Sequence, residues 1–353
     1  MKFLVIQQKM IGDVLTSTII CDNLKQKYPS ATIHFVANDN TLAVTDHHPN
    51  IDKVIVFKKE FRNNRSQFLQ FLKAIRKEHY DVVIDAYGKL ESNLITLASK
   101  ASRKISYHKT YTSWIYTKTY NTHTVTDPDM TLAIKNRITL LDDFQLNPTK
   151  LITKPKIYLS KEEKIAARKF LLENAISETE KIIMISVLGS SEPKTYPATY
   201  MAKVIDQICN AGNYTILFNY IPPQEEQAKA IYNLCNAHSQ SKIKFNVFSD
   251  SLRGFLGIVS HCSALIGNEG GAVNMAKALE VPTFAIFAPF TKKEGWNLQK
   301  EEQHKAIHLD EFKPELFQHK KRKEIIQQYA SFYEVFTPEL FQEHLSNFLQ
   351  KHL

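Results

Sequence analysis

Four short segments of this chain combine glycine, charge and an apolar lead-in as a ligand-binding turn requires, and each follows a run that reads as a buried strand. The first is Gln8-Lys9-Met10-Ile11-Gly12-Asp13-Val14, where Gly12 permits a tight turn and Asp13 stands at a helix start. On periodicity alone Asp13 is a helix cap, worth about 1 kcal/mol. No G-x-G-x-x-G accompanies it, so a dinucleotide fingerprint is not supported. The second segment is Gly189-Ser190-Ser191-Glu192-Pro193-Lys194-Thr195-Tyr196-Pro197. Small residues and a lysine before a helix offer backbone N–H groups and a positive charge to a phosphate, or form an ordinary loop with an exposed lysine. In the third, Pro222-Pro223-Gln224-Glu225-Glu226, a carboxylate is placed either to accept ribose hydroxyls or simply to suit the helix dipole.

The fourth segment, Ile266-Gly267-Asn268-Glu269-Gly270-Gly271-Ala272-Val273-Asn274, is the most informative. Two glycines at a helix N-terminus let an anion approach bare N–H groups at the positive end of the dipole. Glu269 would repel that anion and is better suited to sugar hydroxyls; the plain alternative is a glycine-rich packing turn. Two other patterns are set aside. Asp127-Pro128-Asp129 looks like a D-x-D metal signature, but it precedes a helix that Asp129 would cap, and no metal is assigned. Asp46-His47-His48 lacks a third ligand at useful spacing. The four cysteines, Cys21, Cys209, Cys235 and Cys262, form no C-x-x-C pair and read as reduced, buried small hydrophobes.

The elements that must hold these turns alternate. Strands are expected at Lys2–Gln8, Thr32–Val36, Lys53–Phe57 and Asp81–Ala86, with helices at Val14–Tyr28, Phe61–His79, Leu90–Ala101 and Met130–Leu146. Between Tyr107 and His123 the pattern gives way to an aromatic-rich loop. After the prolines of 147–155 the alternation resumes. Strands are expected at Lys181–Leu188, Tyr214–Phe218, Lys242–Phe248, Ala264–Ile266 and Thr283–Phe287. Helices start at Ser160, Pro197 and Pro223, with Ser160 and Glu163 forming a capping box. The fold class is therefore α/β, with two doubly wound parallel-sheet domains, 1–150 and 151–353, facing a cleft. The 353 residues suffice for two cores, and no apolar run spans a bilayer, so a cytoplasmic location is expected. A net charge of +9 favours anionic partners.

Taken in order, the segments resemble the heptosyltransferase-like family, glycosyltransferase family 9. The resemblance rests on I-G-D-V after the first strand, Tyr28-Pro29, Asn50-Ile51-Asp52-Lys53-Val54, D-V-V-I-D, Lys194 before Tyr196-Pro197, and Ser251-Leu252-Arg253. It continues through I-G-N-E-G-G-A-V-N-M-A-K-A-L to Pro282-Thr283 and Ala288-Pro289. It implies the GT-B fold, C-terminal helices that return to the first domain, and inverting, metal-independent transfer from a nucleotide diphosphate sugar, with an ADP-linked donor as one option. Asp13 would be the general base, while Lys194 and the Gly270-Gly271 turn would stabilise the departing diphosphate. Glu225 or Glu226 would hold the ribose and Glu269 the donor sugar, with Gly189, Ser190 and Asn274 alongside. Gly12, Arg103, Lys104, Tyr111 and Trp114 would meet the acceptor. The family usually has Asp at Glu269, Thr or Ser at Gly270, His at Asn274 and Trp at Tyr196, which opens the donor to a sugar other than heptose.

The expected partner is an anionic, lipid-linked glycan of the lipopolysaccharide type, met at the inner face of the cytoplasmic membrane, with no nucleic acid. A nucleotide-sugar epimerase of the same fold and a non-catalytic nucleotide-sugar binder are the alternatives.

Overall fold

The computed structural model describes residues 1–125, 127, 129–298 and 302–353. They divide into two compact units, Met1–Tyr158 and Leu159–Leu353, so the boundary falls just after the proline-marked linker.

In the first unit the strands are β1 (Lys2–Ile6), β2 (Thr32–Asn38), β3 (Lys53–Phe57), β4 (Val82–Asp85), β5 (Arg103–Tyr107) and β6 (Lys118–Tyr120). They form one parallel sheet in the order β3-β2-β1-β4-β5-β6. Phe3, Leu4, Val5 and Ile6 are wholly buried, as expected of a central strand covered on both faces. Its helices are α1 (Ile11–Lys27), α2 (Arg65–Lys77), α3 (Leu90–Ser99) and α4 (Leu132–Thr139). α1 is apolar or small on nearly every face and is buried from Val14 to Leu24. Within it, Asn23 exchanges hydrogen bonds with the backbone of Ile152 at 2.8 and 3.0 Å, which anchors the segment before the unit boundary.

The second unit carries α5 (Lys161–Glu173), β7 (Lys181–Ser186), α6 (Ala198–Ala211), β8 (Tyr214–Phe218), α7 (Glu225–Leu234), α8 (Ala237–Lys242) and α9 (Leu252–Val259). There follow β9 (Ala264–Asn268), α10 (Gly271–Ala278), β10 (Thr283–Ile286), β11 (His304–Ile307), α11 (Arg322–Gln327), α12 (Tyr329–Val335) and α13 (Gln342–His352). Its sheet is parallel in the order β11-β10-β9-β7-β8. The capping box of α5 forms as expected, with Ser160 and Glu163 satisfying each other's backbone N–H.

Several elements differ from the sequence reading for local reasons. The stretch 242–248 is not a strand. Ile243, Phe245 and Val247 are buried with the expected alternation, but only Ile243 bridges to Ile216 before the chain turns. Lys242 instead ends α8 and donates to the carbonyls of Cys209 and Gly212. The loop expected at 107–123 holds β6 and follows β5, two polar strands whose periodicity is too weak to read. The helix expected at 130–146 is α4 plus a 3-10 turn, Asp142–Phe144, and Thr131 rather than Asp129 accepts the cap bond. The C-terminal helices use their apolar faces within the second unit. Phe341 and Phe348 pack on Phe284 of β10, and Tyr196 donates to the carbonyl of Phe336 at 2.6 Å. All four cysteines are free and buried, and burial pushes the thiols of Cys235 and Cys262 up to about 12. No described helix is long and apolar enough to cross a membrane.

At the amino end of the first sheet, Glu78 accepts from Lys2 at 2.6 Å and from Lys53 at 2.8 Å. These two bonds hold its carboxyl at about 2, against an ordinary 4.5. A depressed carboxyl stabilises the fold fully above its unfolded value and loses that contribution as pH falls from 4.5 through about 2. Urea midpoints should therefore fall more steeply over this range in the wild type than in Glu78→Gln. Parallel losses in the two proteins would contradict this.

Candidate active site

In the first unit the connection order reverses between β1 and β4, and the crevice of such a sheet lies at the carboxyl ends of those two strands. The turn after β1 is closed by Gln7 Nε2 donating to the Lys9 carbonyl at 3.0 Å and by a sharp bend at Met10, whose φ is 55°. Gly12 is buried beneath it. Asp13 lies in the first turn of α1 without capping it. Its Oδ1 accepts from Arg137 Nη2 of α4 at 2.7 Å, and its side chain stays 32% exposed.

At the end of β4, Asp85 is wholly buried and accepts from the N–H groups of Tyr87 and Gly88 and from the hydroxyl of Tyr116. Burial raises its carboxyl, while these bonds oppose the rise. Asp85 thus shapes the loop leading to α3, where Gly88 takes a left-handed φ of 57°. Lys109, after β5, donates to the Gly88 carbonyl and joins the two strand exits. Tyr111 and Trp114 follow, 75% and 72% exposed, with Trp114 Nε1 donating to the Tyr111 carbonyl.

Arg103 and Lys104 are placed elsewhere. They open β5, with Arg103 in register with Val82 at the start of β4, so they stand at the amino end of the sheet. Arg103 pairs with Asp143 at 3.2 Å and lies over the Phe144 ring. The backbone of Lys104 is tied to Thr117. Both belong to an edge brace.

In the second unit the order reverses between β7 and β9. A Cβ on Gly189 would meet the Lys194 carbonyl at 2.3 Å, so glycine there lets the β7 exit fold back onto Lys194. Gly267, with φ 129° and a Cβ position 2.4 Å from the Ser186 carbonyl, allows β9 to approach β7 closely. Asn268, 1% exposed, then clamps the two exits: Tyr196 N–H donates to its Oδ1 at 2.7 Å and its Nδ2 donates to the Ser186 carbonyl at 2.9 Å.

This frame brings Lys194 Nζ to 3.0 Å from Glu269 Oε1, which also accepts from Thr291 at 3.2 Å. Gly270, at φ 155°, starts α10 with no side-chain cap, and nothing lies within 4 Å of where its Cβ would stand. The amides of α10 are therefore open at their positive end beside a lysine. Asn274 sits half-buried in the first turn of α10. Gln224 Nε2 donates to the Gly189 carbonyl, which brings the start of α7 to the same turn. Glu225, Glu226 and Ser190 are exposed around it.

Sequence reasoning missed Asn268, Thr291, Asp85 and Arg137. For Asp85 the signal was present, since a carboxylate ended an apolar strand. Tyr196, at the family's tryptophan position, is wholly buried in the core. Asp127 pairs with Lys135 at 3.0 Å, Asp129 N–H donates to Asp127, and Pro128 lies outside the described residues. Among the described residues no three His, Cys, Asp or Glu stand close enough to share a metal.

Two doubly wound parallel-sheet units in one chain make the GT-B fold. The chain belongs to glycosyltransferase family 9 (heptosyltransferase), matched over residues 68–325. It is 26% identical to lipopolysaccharide heptosyltransferase 1 of Campylobacter coli over 298 residues, covering 81% of this chain and 84% of that one. Two solved structures share its fold with a TM-score of 0.74. A family 9 glycosyl transferase of Veillonella parvula is 18% identical, covering 94% of this chain and 97% of the other. The E. coli ADP-heptose lps heptosyltransferase II is 17% identical, covering 99% of each.

Asn268→Ala would leave a buried N–H and a buried carbonyl unpaired, at about 1–3 kcal/mol each. Urea unfolding should show a loss of that order, and a loss within about 0.5 kcal/mol, the range of an ordinary surface change, would contradict the clamp.

Proposed function

We propose that the protein transfers a sugar, heptose or a close relative, from an ADP-linked donor to an anionic, lipid-linked glycan of the lipopolysaccharide type, with inversion and without a metal. The observation that carries this is the Lys194–Glu269 pair, 3.0 Å apart beside the uncapped start of α10. A diphosphate held there gains the Lys194 ammonium and the α10 amides as its leaving-group charge develops. Glu269, neutralised by Lys194 and held by Thr291, is left to accept sugar hydroxyls. Glu225 or Glu226 holds the ribose, and Asn274 stands where the family's histidine would reach the donor.

In the first unit Asp13 is the base. The acceptor oxygen bonds to the anomeric carbon as the bond from that carbon to the phosphate oxygen breaks. The hydroxyl proton passes to Asp13, and the nucleoside diphosphate leaves with its electron pair. A carboxylate in this role is worth about 10²–10⁴-fold in rate. Gly12, buried at the start of α1, shapes the turn beside Asp13, and Tyr111 and Trp114 offer the acceptor exposed aromatic faces. The relatives are a lipopolysaccharide heptosyltransferase and an ADP-heptose lps heptosyltransferase, which supports the substrate class. Acceptors of this kind are anchored in lipid, which fits peripheral contact with the inner membrane face.

Asp13→Asn should lower kcat by about 10²–10⁴-fold while the thermal shift given by ADP stays as in the wild type. Lys194→Met should shrink that shift, because a ligand of the folded state stabilises by mass action. Transfer by Asp13→Asn within about tenfold of wild type would remove Asp13 as base. An undiminished ADP shift in Lys194→Met would remove the lysine from the donor site.

A further inference from the structure

We infer that Arg137 is a positioning residue for sugar transfer, holding one oxygen of Asp13 so that the other receives the proton. The inference rests on Asp13 being the base. Arg137 stands in α4, 124 residues along the chain from Asp13, and its side chain is only 10% exposed. Each of its three nitrogens is engaged. Nη2 donates to Asp13 Oδ1 at 2.7 Å, Nε to Ser17 Oγ at 3.2 Å, and Nη1 to the Ala133 carbonyl of its own helix at 3.4 Å.

Ser17 lies four residues after Asp13, so the two side chains stand one above the other on the same face of α1. Ser17 Oγ also donates to the Asp13 carbonyl at 2.8 Å. The planar guanidinium therefore grips two successive turns of α1 through separate nitrogens held in one rigid fork, an orientation that the rotatable ammonium of a lysine does not fix.

The consequence lies in what Arg137 leaves open. Asp13 Oδ2 makes no hydrogen bond among the described residues, and the side chain reaches solvent. A free carboxylate turns easily about its last torsion, which is broad and roughly two-fold. With Oδ1 pinned, Oδ2 keeps one direction and its lone pairs remain free for the acceptor hydroxyl. A misplacement of about 1 Å at such a group costs up to roughly 100-fold in rate.

The test is steady-state transfer by Arg137→Gln, Arg137→Lys and Ser17→Ala, alone and combined with Asp13→Asn, with melting temperatures alongside. Arg137→Gln should lower kcat by roughly 100-fold with the donor KM unchanged. Arg137→Lys should recover part of that rate, and Ser17→Ala should lose only a few-fold. On the Asp13→Asn background none of the three should slow the enzyme further, because residues acting as one unit are not additive. A folded Arg137→Gln with wild-type kcat overturns the inference. So does a full further loss on the Asp13→Asn background, which would mean that Arg137 acts independently of Asp13. If Arg137→Gln does not fold, Arg137→Lys and Ser17→Ala decide by the same non-additivity. An active Asp13→Asn overturns the base assignment itself and is read separately from the Arg137 series.

Discussion

A parallel sheet whose strand order reverses must send adjacent connections to opposite faces, and a crevice opens at the carboxyl ends where they part. This constraint is met twice in the chain, at β1/β4 and at β7/β9. Asp13 follows β1 and Asp85 ends β4 at the first reversal, and Lys194 and Glu269 follow the two strands of the second. The residues that surround them serve to fix these strand exits. Gly267 lets β9 close on β7, Asn268 ties the exits together, and Asp85 folds the β4 loop onto its own N–H groups.

Each crevice also holds one carboxylate–cation pair. Asp13 is matched by Arg137 and Glu269 by Lys194, so neither carboxylate is left partly buried without a counter-charge. Such pairs are weak evidence for stability, because desolvation offsets much of their attraction. Their use here is orientation. Each carboxylate has a fixed partner on one side, and Thr291 gives Glu269 a second. Lys194 remains about a third exposed, so its ammonium can also meet an anionic ligand.

The alternation of strands and helices was legible in the sequence because buried parallel strands read as unbroken apolar runs such as KFLVI and KIIMIS. The turns were legible as strand-to-helix connections, since glycine and charge after an apolar run mark where the strand stops. What escaped was whatever depends on distance in the chain. Nothing near Asp13 announces Arg137, and nothing near Tyr196 announces Asn268. Arg103 and Lys104 looked like acceptor contacts because they precede an aromatic segment. Only the register of β5 on β4 shows that they open the strand, at the end remote from the crevice. The segment 242–248 has a strand's alternation and hydrophobicity but makes a single bridge, since pairing is set by the neighbouring strand and not by the pattern alone.

A single displacement with Asp13 as base allows one stereochemical outcome. The most direct measurement is the anomeric configuration of the product, read from the one-bond carbon–proton coupling at the transferred sugar's anomeric centre after reaction with a donor of known configuration. The configuration should be opposite to that of the donor. A retained configuration would require a second displacement at that carbon and would contradict the mechanism assigned to Asp13, Lys194 and the α10 turn.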